Sequence, residues 1–181
     1  MAVAPGPTLR TARLILRPTA SEDLDAWAAM MADPEAARFI GGVQPRAAAW
    51  RGMASMAGSW ALNGFGMFSL IEAASGAWVG RVGPWAPEGW PGTEVGWSLT
   101  RQAWGRGYAQ EAASAAIDWA FDSLGWLEVV HCIDPANLAS ARVAQRLGSA
   151  NRGPGRLPEP FAASPIDLWG QTREAWRARR G

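Results

Sequence analysis

The residues with the clearest chemical potential form a glycine-containing stretch, Gln-Ala-Trp-Gly-Arg-Gly-Tyr-Ala, at positions 102–109. Gly105 and Gly107 allow backbone conformations with positive φ and let a ligand approach the chain closely. A long helix is predicted directly after this stretch, so its unpaired N–H groups and the positive end of its dipole would face a bound anion. The pattern predicts either a phosphate cradle or a glycine-rich turn without a ligand.

Two better-known phosphate loops do not fit this stretch. A nucleoside triphosphatase loop needs a lysine after its second glycine, but Gly107 is followed by Tyr108 and the chain contains no lysine. A dinucleotide-binding fingerprint needs a third glycine, and Gln110 stands there instead. Neither a nucleoside triphosphatase nor a dinucleotide-binding function is therefore predicted.

A second polar group lies about thirty residues further along, where Asn137 and Ser140 open a predicted helix that also carries Arg146. Asn137 is well suited to cap that helix, and Ser140 would then stand in its first turn. Taken alone, this group is as compatible with a simple helix cap as with a binding site. This group and the glycine stretch each follow a predicted strand and precede a predicted helix. Both groups therefore lie at strand-to-helix junctions.

Composition limits the remaining possibilities. The 181 residues are 49% hydrophobic and 18% charged, which is typical of one folded domain, here residues 1–181. The formal net charge is +1, so neither nucleic acid nor a membrane surface is expected as a partner. The single cysteine, Cys132, provides neither a disulfide nor a metal framework, and no metal is expected. No secretory signal or apolar span is evident, so we expect a cytoplasmic protein.

Hydrophobic periodicity predicts a mixed order of strands and helices that must position these groups. Alternating or apolar runs predict strands at 13–17, 67–72, 78–82, 93–99, 127–133 and 165–171. Helical spacing predicts helices starting at Thr19 and ending before Pro34, and at 46–62, 107–124 and 138–147, followed by a basic helical tail. Thr19 and Glu22 have the spacing of a capping box, and Trp50 is assigned to the apolar face of the second helix.

These segments together resemble the GNAT superfamily of acyl-coenzyme A dependent N-acyltransferases, and specifically its RimJ/RimL-like branch. The resemblance spans nearly the whole chain and rests on four segments in family order: residues 11–18, the strand residues 94–97, the loop 102–109 with Glu111-Ala112, and Asn137-x-x-Ser140 ending at Leu147-Gly148. It implies an α+β fold, with a central, mostly antiparallel sheet that is splayed between its fourth and fifth strands and flanked by helices.

The resemblance also implies that acetyl-CoA is the co-substrate and where it binds. The loop would hold the pyrophosphate through backbone N–H groups, and the strand before it would pair with the pantetheine arm as an extra strand does. Asn137 and Ser140 would lie beside the pantetheine and the sulfur, and Arg146 would reach the outer phosphates. The residues implied to contact the cofactor are Trp97, Ser98, Leu99, Gln102, Trp104, Gly105, Arg106, Gly107, Tyr108, Ala109, Asn137, Ser140 and Arg146.

The implied chemistry is attack by an amine on a thioester carbonyl, which needs a base for the amine and a proton for the departing thiolate. Glu94 is the candidate base, although it could instead bind a substrate cation or pair with an arginine. Many family members carry a tyrosine seven residues after the asparagine as the acid, but this position is Ala144 here. Ser140 is the available replacement, and Asn137 completes the candidate catalytic set.

The acceptor is expected between the first helices and the strand that bears Glu94. Trp27, Met30, Met53, Met56, Trp85 and Trp90 could line an apolar pocket there, and of these we assign Trp85 and Trp90, in a Pro/Gly-rich loop, to substrate binding. The acceptor would be a small-molecule amine or a peptide N-terminus, used by a monomer or homodimer. The alternative is a non-catalytic acyl-CoA-binding or regulatory module, which the missing tyrosine favours.

Overall fold

The fold is built on one eight-stranded sheet with helices on both faces, seen in a computed structural model that describes residues 6–180. Its strands are β1 (Leu9–Arg10), β2 (Leu14–Pro18), β3 (Phe68–Glu72), β4 (Trp78–Trp85), β5 (Glu94–Leu99), β6 (Glu128–Ile133), β7 (Ala150–Gly155) and β8 (Ile166–Thr172). Their order across the sheet is β1-β2-β3-β4-β5-β6-β8-β7. The helices are α1 (Leu24–Ala32), α2 (Pro34–Ala37), α3 (Arg46–Asn63), α4 (Tyr108–Ser123), α5 (Leu138–Leu147) and α6 (Arg173–Ala178).

The sheet opens at one place. All neighbouring strands are antiparallel except β5 and β6, which run parallel and share a single register pair, Glu94↔Val130. Beyond that pair the two strands diverge, whereas β4 and β5 stay paired along six residues. The expected mixed α/β fold with a splayed, mostly antiparallel sheet is therefore confirmed. The splay lies between the fourth and fifth predicted strands, which count as β5 and β6 because a two-residue strand precedes them.

Helix α4 forms the main core against one face of the sheet. Its buried side repeats small and apolar residues at helical spacing, and Ile117 and Phe121 pack with Val82 and Val95 of the central strands. A second apolar cluster joins α1 and α3, where Trp27 and Met53 are buried. The two clusters hold β4 and β5 between them, and this fixes the strands that carry the polar residues of the site.

Two local predictions are wrong. The chain enters α1 through a 3-10 turn that is capped by Ala20, one residue later than predicted, so Asp23 and not Glu22 accepts a hydrogen bond from the Ala20 N–H (2.9 Å). The Asp23 carboxylate is buried and also pairs with Arg17. Trp50 is 53% exposed on α3, since the helix packs through Met53 and Trp60 instead.

Strand β7 is absent from the sequence prediction because it lacks an alternating apolar pattern. In the described part of the chain it is an edge strand that pairs only with β8, and a register shift between Asn151 and Pro154 interrupts this pairing. Proline is tolerated at such an irregular edge position. Within residues 6–180, no helix is long and apolar enough to cross a membrane.

Candidate active site

A cleft of about 920 Å³ opens where β5 and β6 diverge. Its floor is formed by β4 and β5, one side by β6 and the start of α5, and the other side by α1 and α3. Residues of segments 38–44 and 157–166 also line it. The cleft is large enough for a drug-sized ligand, and the β6–α5 junction lines it through Asp134 and Asn137.

Alternation along β4 and β5 directs four functional side chains onto the cleft floor. Arg81 lies opposite Ser98, and Trp85 lies opposite Glu94 in the register of the two strands. Since successive side chains point to opposite faces, these four residues share a face, and all four line the cleft. The position between the two pairs is occupied by glycines on both strands, Gly83 opposite Gly96. The floor therefore has polar groups at both ends, and Met67 and Phe68 pack against the glycines between them, since a Cβ at Gly96 or Gly83 would lie 2.9 Å from Met67 Cε or Phe68 Cδ2.

Glu94 is a buried carboxylate held by two donors. Its Oε1 accepts a hydrogen bond from the Cys132 N–H (3.0 Å), and its Oε2 accepts one from the Trp90 indole N–H (2.6 Å). Burial raises the pKa of Glu94 to about 7, although these donors and the Arg81 charge act in the opposite direction. Such a carboxyl can gain and lose a proton near neutral pH, as general acid–base work requires.

Two side chains bridge the strands where the backbone ladder ends. The Glu94 carboxylate of β5 accepts a hydrogen bond from the Cys132 N–H of β6. In the other direction, the His131 ring of β6 is hydrogen-bonded to the Val95 carbonyl of β5 (Nδ1 to O, 2.6 Å). Burial lowers the pKa of His131 to about 4, so the ring is neutral. We assign the proton to Nδ1, which donates to Val95, and Nε2 then accepts from the Ser149 hydroxyl (2.9 Å). His131 therefore supports the splay and is already fully hydrogen-bonded.

Asn137 and Ser140 lie together at the start of α5, on the cleft wall. The Asn137 side chain caps the helix by accepting from the Ser140 N–H (3.1 Å). The Ser140 hydroxyl accepts a hydrogen bond from the Trp97 indole N–H (3.3 Å), which leaves its own proton available to a ligand. Ala144, where many family members carry tyrosine, is completely buried beside Ile133 and Trp169.

Backbone groups of β5 face the gap between the strands. The carbonyl of Thr93 accepts from Val130, and that of Val95 accepts from the His131 ring, so both point toward β6. In a regular strand the groups two residues further on point the same way, and the Trp97 N–H and carbonyl therefore face the gap. The next such carbonyl, on Leu99, accepts from the Trp104 indole (3.1 Å). The gap thus presents a strand edge that an extended ligand can pair with.

The glycine loop has the backbone shape expected of an anion cradle. Gly105 and Gly107 have φ values of +71° and +78°, and Gly107 is the N-cap residue of α4. A Cβ at Gly105 would meet no protein atom within 4 Å, so the loop is open on that side. The first turn of α4 presents N–H groups that have no intrahelical acceptor. These features fit the pyrophosphate of coenzyme A.

Side chains around the loop hold it against the sheet. Arg106 forms an ion pair with Glu72 (2.6 Å), and the buried Tyr108 donates from its hydroxyl to the same carboxylate. Arg13 pairs with Glu111 (2.6 Å) and also donates to the Arg106 carbonyl (2.9 Å). The side chains of Arg106 and Tyr108 are therefore engaged within the protein, and what the loop offers to a ligand is its backbone.

The cleft brings together seven of the sequence-predicted site residues. They are Trp85, Trp90, Glu94, Trp97, Ser98, Asn137 and Ser140. Leu99 and residues 102–109 lie outside its lining, at the end of β5 and the start of α4. Arg146 is exposed on α5, also outside the cleft.

The expected composition of the acceptor pocket needs correction. Met30 and Met53 do not line the cleft, because both pack inside the apolar cluster between α1 and α3. Trp85 is the last residue of β4 and not part of a loop, and its ring meets that of Trp90 edge to face with 6.4 Å between centroids.

Arg81 is the principal site residue that the sequence prediction lacks. Its position in the cleft depends on the register between β4 and β5, which residue types alone do not specify. The available signal was the charge itself. An arginine within the apolar run Trp-Val-Gly-Arg-Val interrupts a strand that is otherwise buried, and such interruptions often mark function.

Comparisons with known proteins agree with this architecture. A family model described as an acetyltransferase (GNAT) domain matches residues 13–150. The uncharacterized N-acetyltransferase p20 of Bacillus licheniformis is 30% identical over 166 residues, which cover 90% of this chain and 93% of that protein. The uncharacterized protein YkkB of Bacillus subtilis (strain 168) is 37% identical over 90 residues, which cover 48% of this chain and 52% of that protein.

Among solved structures, the acetyltransferase from Agrobacterium tumefaciens str. C58 superimposes with a TM-score of 0.80 and 32% sequence identity. The match covers 92% of this chain and 95% of that chain. The family model and this structural match, together with the splayed sheet and the glycine loop before α4, place the chain among the acetyltransferases. The chain belongs to the GNAT acetyltransferase family.

Proposed function

We propose that the protein transfers an acetyl group from acetyl-CoA to a primary amine by direct attack in a ternary complex. The observation that carries this proposal is the buried Glu94 carboxyl, with its pKa near 7, facing the same cleft as Ser140 and the open edge of β5. The acceptor is a small-molecule amine or a peptide N-terminus. The resemblance to the RimJ/RimL-like branch is part of the proposal.

In this proposal residues 102–109 hold the pyrophosphate through backbone N–H groups, and the Trp97 to Leu99 backbone pairs with the pantetheine arm. Arg146, on the exposed side of α5, would approach the outer phosphates. Bound acetyl-CoA supplies an activated thioester carbonyl. The strand edge aligns that carbonyl with the gap, and the N–H groups of β5 that face the gap stabilise negative charge developing on its oxygen.

Glu94 would act as the base in its ionised form. It takes a proton from the attacking nitrogen, directly or through one water, as the new C–N bond forms. Both carboxylate oxygens already accept one hydrogen bond each, and their remaining lone pairs can accept the proton. A pKa near 7 means that a large share of the molecules carries the reactive form at neutral pH.

Ser140 would donate a proton to the departing thiolate as the C–S bond breaks. The Trp97 indole N–H donates to the serine oxygen, so the hydroxyl hydrogen is directed elsewhere, and the Asn137 cap fixes the helix turn that carries it. This arrangement would supply the proton that a tyrosine at Ala144 provides in other members. Trp85 and Trp90 would form the apolar wall for the acceptor.

The test measures binding and turnover separately. We expect acetyl-CoA and desulfo-CoA to bind in isothermal titration while ATP does not, and a pool of amines to accelerate thiol release from acetyl-CoA. Binding without thiol release for any amine would favour the second candidate, a non-catalytic acyl-CoA-binding module, which Ala144 supports by its lack of a hydroxyl. Absence of binding would refute both assignments.

A further inference from the structure

Arg81 is a buried cation on the floor of the cleft, and no acidic residue neutralises it by contact. Only 8% of the residue is exposed, and none of the ion pairs within residues 6–180 includes it. Its Nη1 donates to the Met56 sulfur (2.8 Å), and its guanidinium lies over the Trp27 ring, 4.7 Å from the centroid. Its Nε has no hydrogen-bond partner in the described part of the chain.

The Met56 sulfur and the Trp27 ring stabilise the buried charge of Arg81 only weakly. A thioether is a weak acceptor and an aromatic face attracts a cation only modestly, whereas removing a guanidinium from water is costly. Glu94 is the acidic group whose charge acts on Arg81, but the two side chains form no ion pair. An anionic group on a ligand in the cleft would offset that cost, because guanidinium binds carboxylates through paired, charge-assisted hydrogen bonds.

The position of Arg81 relative to Glu94 defines the shape of such a ligand. Arg81 faces Ser98, and Glu94 faces Trp85, four register positions further along the same face of β4 and β5. This separates their backbone positions by about 13 Å, and both side chains line the cleft, with Met67 packed against Gly96 between them. The floor therefore has a carboxyl suited to an amine at one end and a guanidinium suited to an anion at the other.

We propose that the acceptor is an amine that also carries a carboxylate, with the carboxylate bound by Arg81 while the amine faces Glu94. Trp85, Trp90 and Trp27 line the apolar space around these two ends, which suits an aliphatic or aromatic body between them. That the ligand is an amine rests on the function proposed above. The carboxylate site itself requires only the geometry around Arg81.

The first experiment tests the anion site without any acetyl transfer. Isothermal titration compares 3-phenylpropanoate with 3-phenylpropan-1-ol, which share an apolar body and lack an amine, on the full chain. We expect the carboxylate to bind roughly 10- to 100-fold more tightly, as charge-assisted hydrogen bonds to a buried guanidinium would give. In Arg81→Met this preference should disappear. Arg38→Met, which removes an exposed cation at the rim of the same cleft, should retain it.

The second experiment uses turnover. The kcat/KM ratio of 4-(aminomethyl)benzoate to benzylamine, which differ by a carboxylate at the end opposite the amine, should exceed one in the wild type and fall by about tenfold or more in Arg81→Met. If no amine is acetylated but carboxylate binding still depends on Arg81, the proposed function fails and the anion site stands. Equal binding of acid and alcohol by the wild type, or a preference lost in Arg38→Met and kept in Arg81→Met, overturns the proposal.

Folding of the variant is checked by thermal melting. Replacement of a buried, uncompensated charge by an apolar side chain of similar length should leave Tm unchanged or raise it. Should Arg81→Met nevertheless unfold, the wild-type comparison of acid with alcohol decides alone, since the proposal requires the acid to bind more tightly.

Discussion

At the scale of single residues, the environment of Glu94 is what converts an ordinary carboxylate into a candidate base. The glutamate is 7% exposed, and burial raises its pKa to about 7 against the effect of two hydrogen-bond donors and the Arg81 charge. An exposed glutamate such as Glu88, at the rim of the same cleft, lacks this burial. The difference between the two residues is position and not residue type.

Glu94→Gln should lower kcat/KM by about 10²- to 10⁴-fold, because a neutral amide cannot accept the proton. In the wild type, kcat/KM should fall as pH drops below about 7, since protonation of Glu94 removes the base. The test measures kcat/KM against pH with the same acceptor in both proteins. Ionisation of the acceptor amine then affects both profiles equally, and the difference between them at acidic pH reports Glu94. Glu88→Gln is the control and should leave the profile unchanged. An identical acid limb in Glu94→Gln would contradict the base assignment.

At the scale of elements, the junction between β5 and α4 depends on backbone conformation more than on side chains. Gly105 adopts φ +71° with open space where a Cβ would stand, and Gly125, after α4, adopts φ +69° with equally open space. A side chain at either position meets the same backbone strain. Only Gly105 belongs to the loop that we assign to the pyrophosphate.

Gly105→Val and Gly125→Val therefore form a matched pair. Both should lose a similar amount of stability, about 1 to 3 kcal/mol, since valine is poorly suited to positive φ. We expect only Gly105→Val to weaken acetyl-CoA binding, by about tenfold or more, because its side chain would occupy the space of the phosphates. Isothermal titration and thermal melting measure the two effects. Equal cofactor affinity in both variants would remove the loop from the binding site.

At the scale of the whole molecule, the splay is an opening in the sheet that side chains stabilise. His131 and Glu94 each cross from one strand to the other where backbone pairing stops. His131 is 1% exposed and also connects to Ser149, which accepts from Gln171 of β8 (3.1 Å). The neutral ring therefore ties three strand regions together beneath the cleft.

His131 should make stability depend on pH. Its pKa falls from 6.5 to about 4 on folding, so the unfolded chain binds more protons between these values. The contribution is complete above pH 6.5 and is lost as pH falls toward 4, amounting to about 3 kcal/mol. The unfolding free energy of the wild type minus that of His131→Asn should therefore rise by about 3 kcal/mol between pH 4 and pH 6.5. Glu94 changes the unfolding free energy with the opposite sign, but it does so in both proteins and cancels in this difference. Parallel curves of unfolding free energy against pH would contradict the assignment.

The sequence by itself determined the main elements, the family and seven of the residues that line the cleft. Helix α4 follows from its repeated apolar spacing, α5 from Asn137 and Gly148 at its ends, and the loop from two glycines that need positive φ. These are local properties, since capping, helical periodicity and glycine conformation depend on residues only a few positions apart.

Tertiary structure alone decided the features that depend on strand register. Arg81 joins Glu94 on the cleft floor because β4 and β5 pair in one register, and a shift by one residue would place the two side chains on opposite faces of the sheet. The burial that raises the pKa of Glu94 and lowers that of His131 likewise comes from segments distant in the chain. Strand β7, with its exposed and irregular edge, has no local pattern, and only its pairing with β8 makes it a strand.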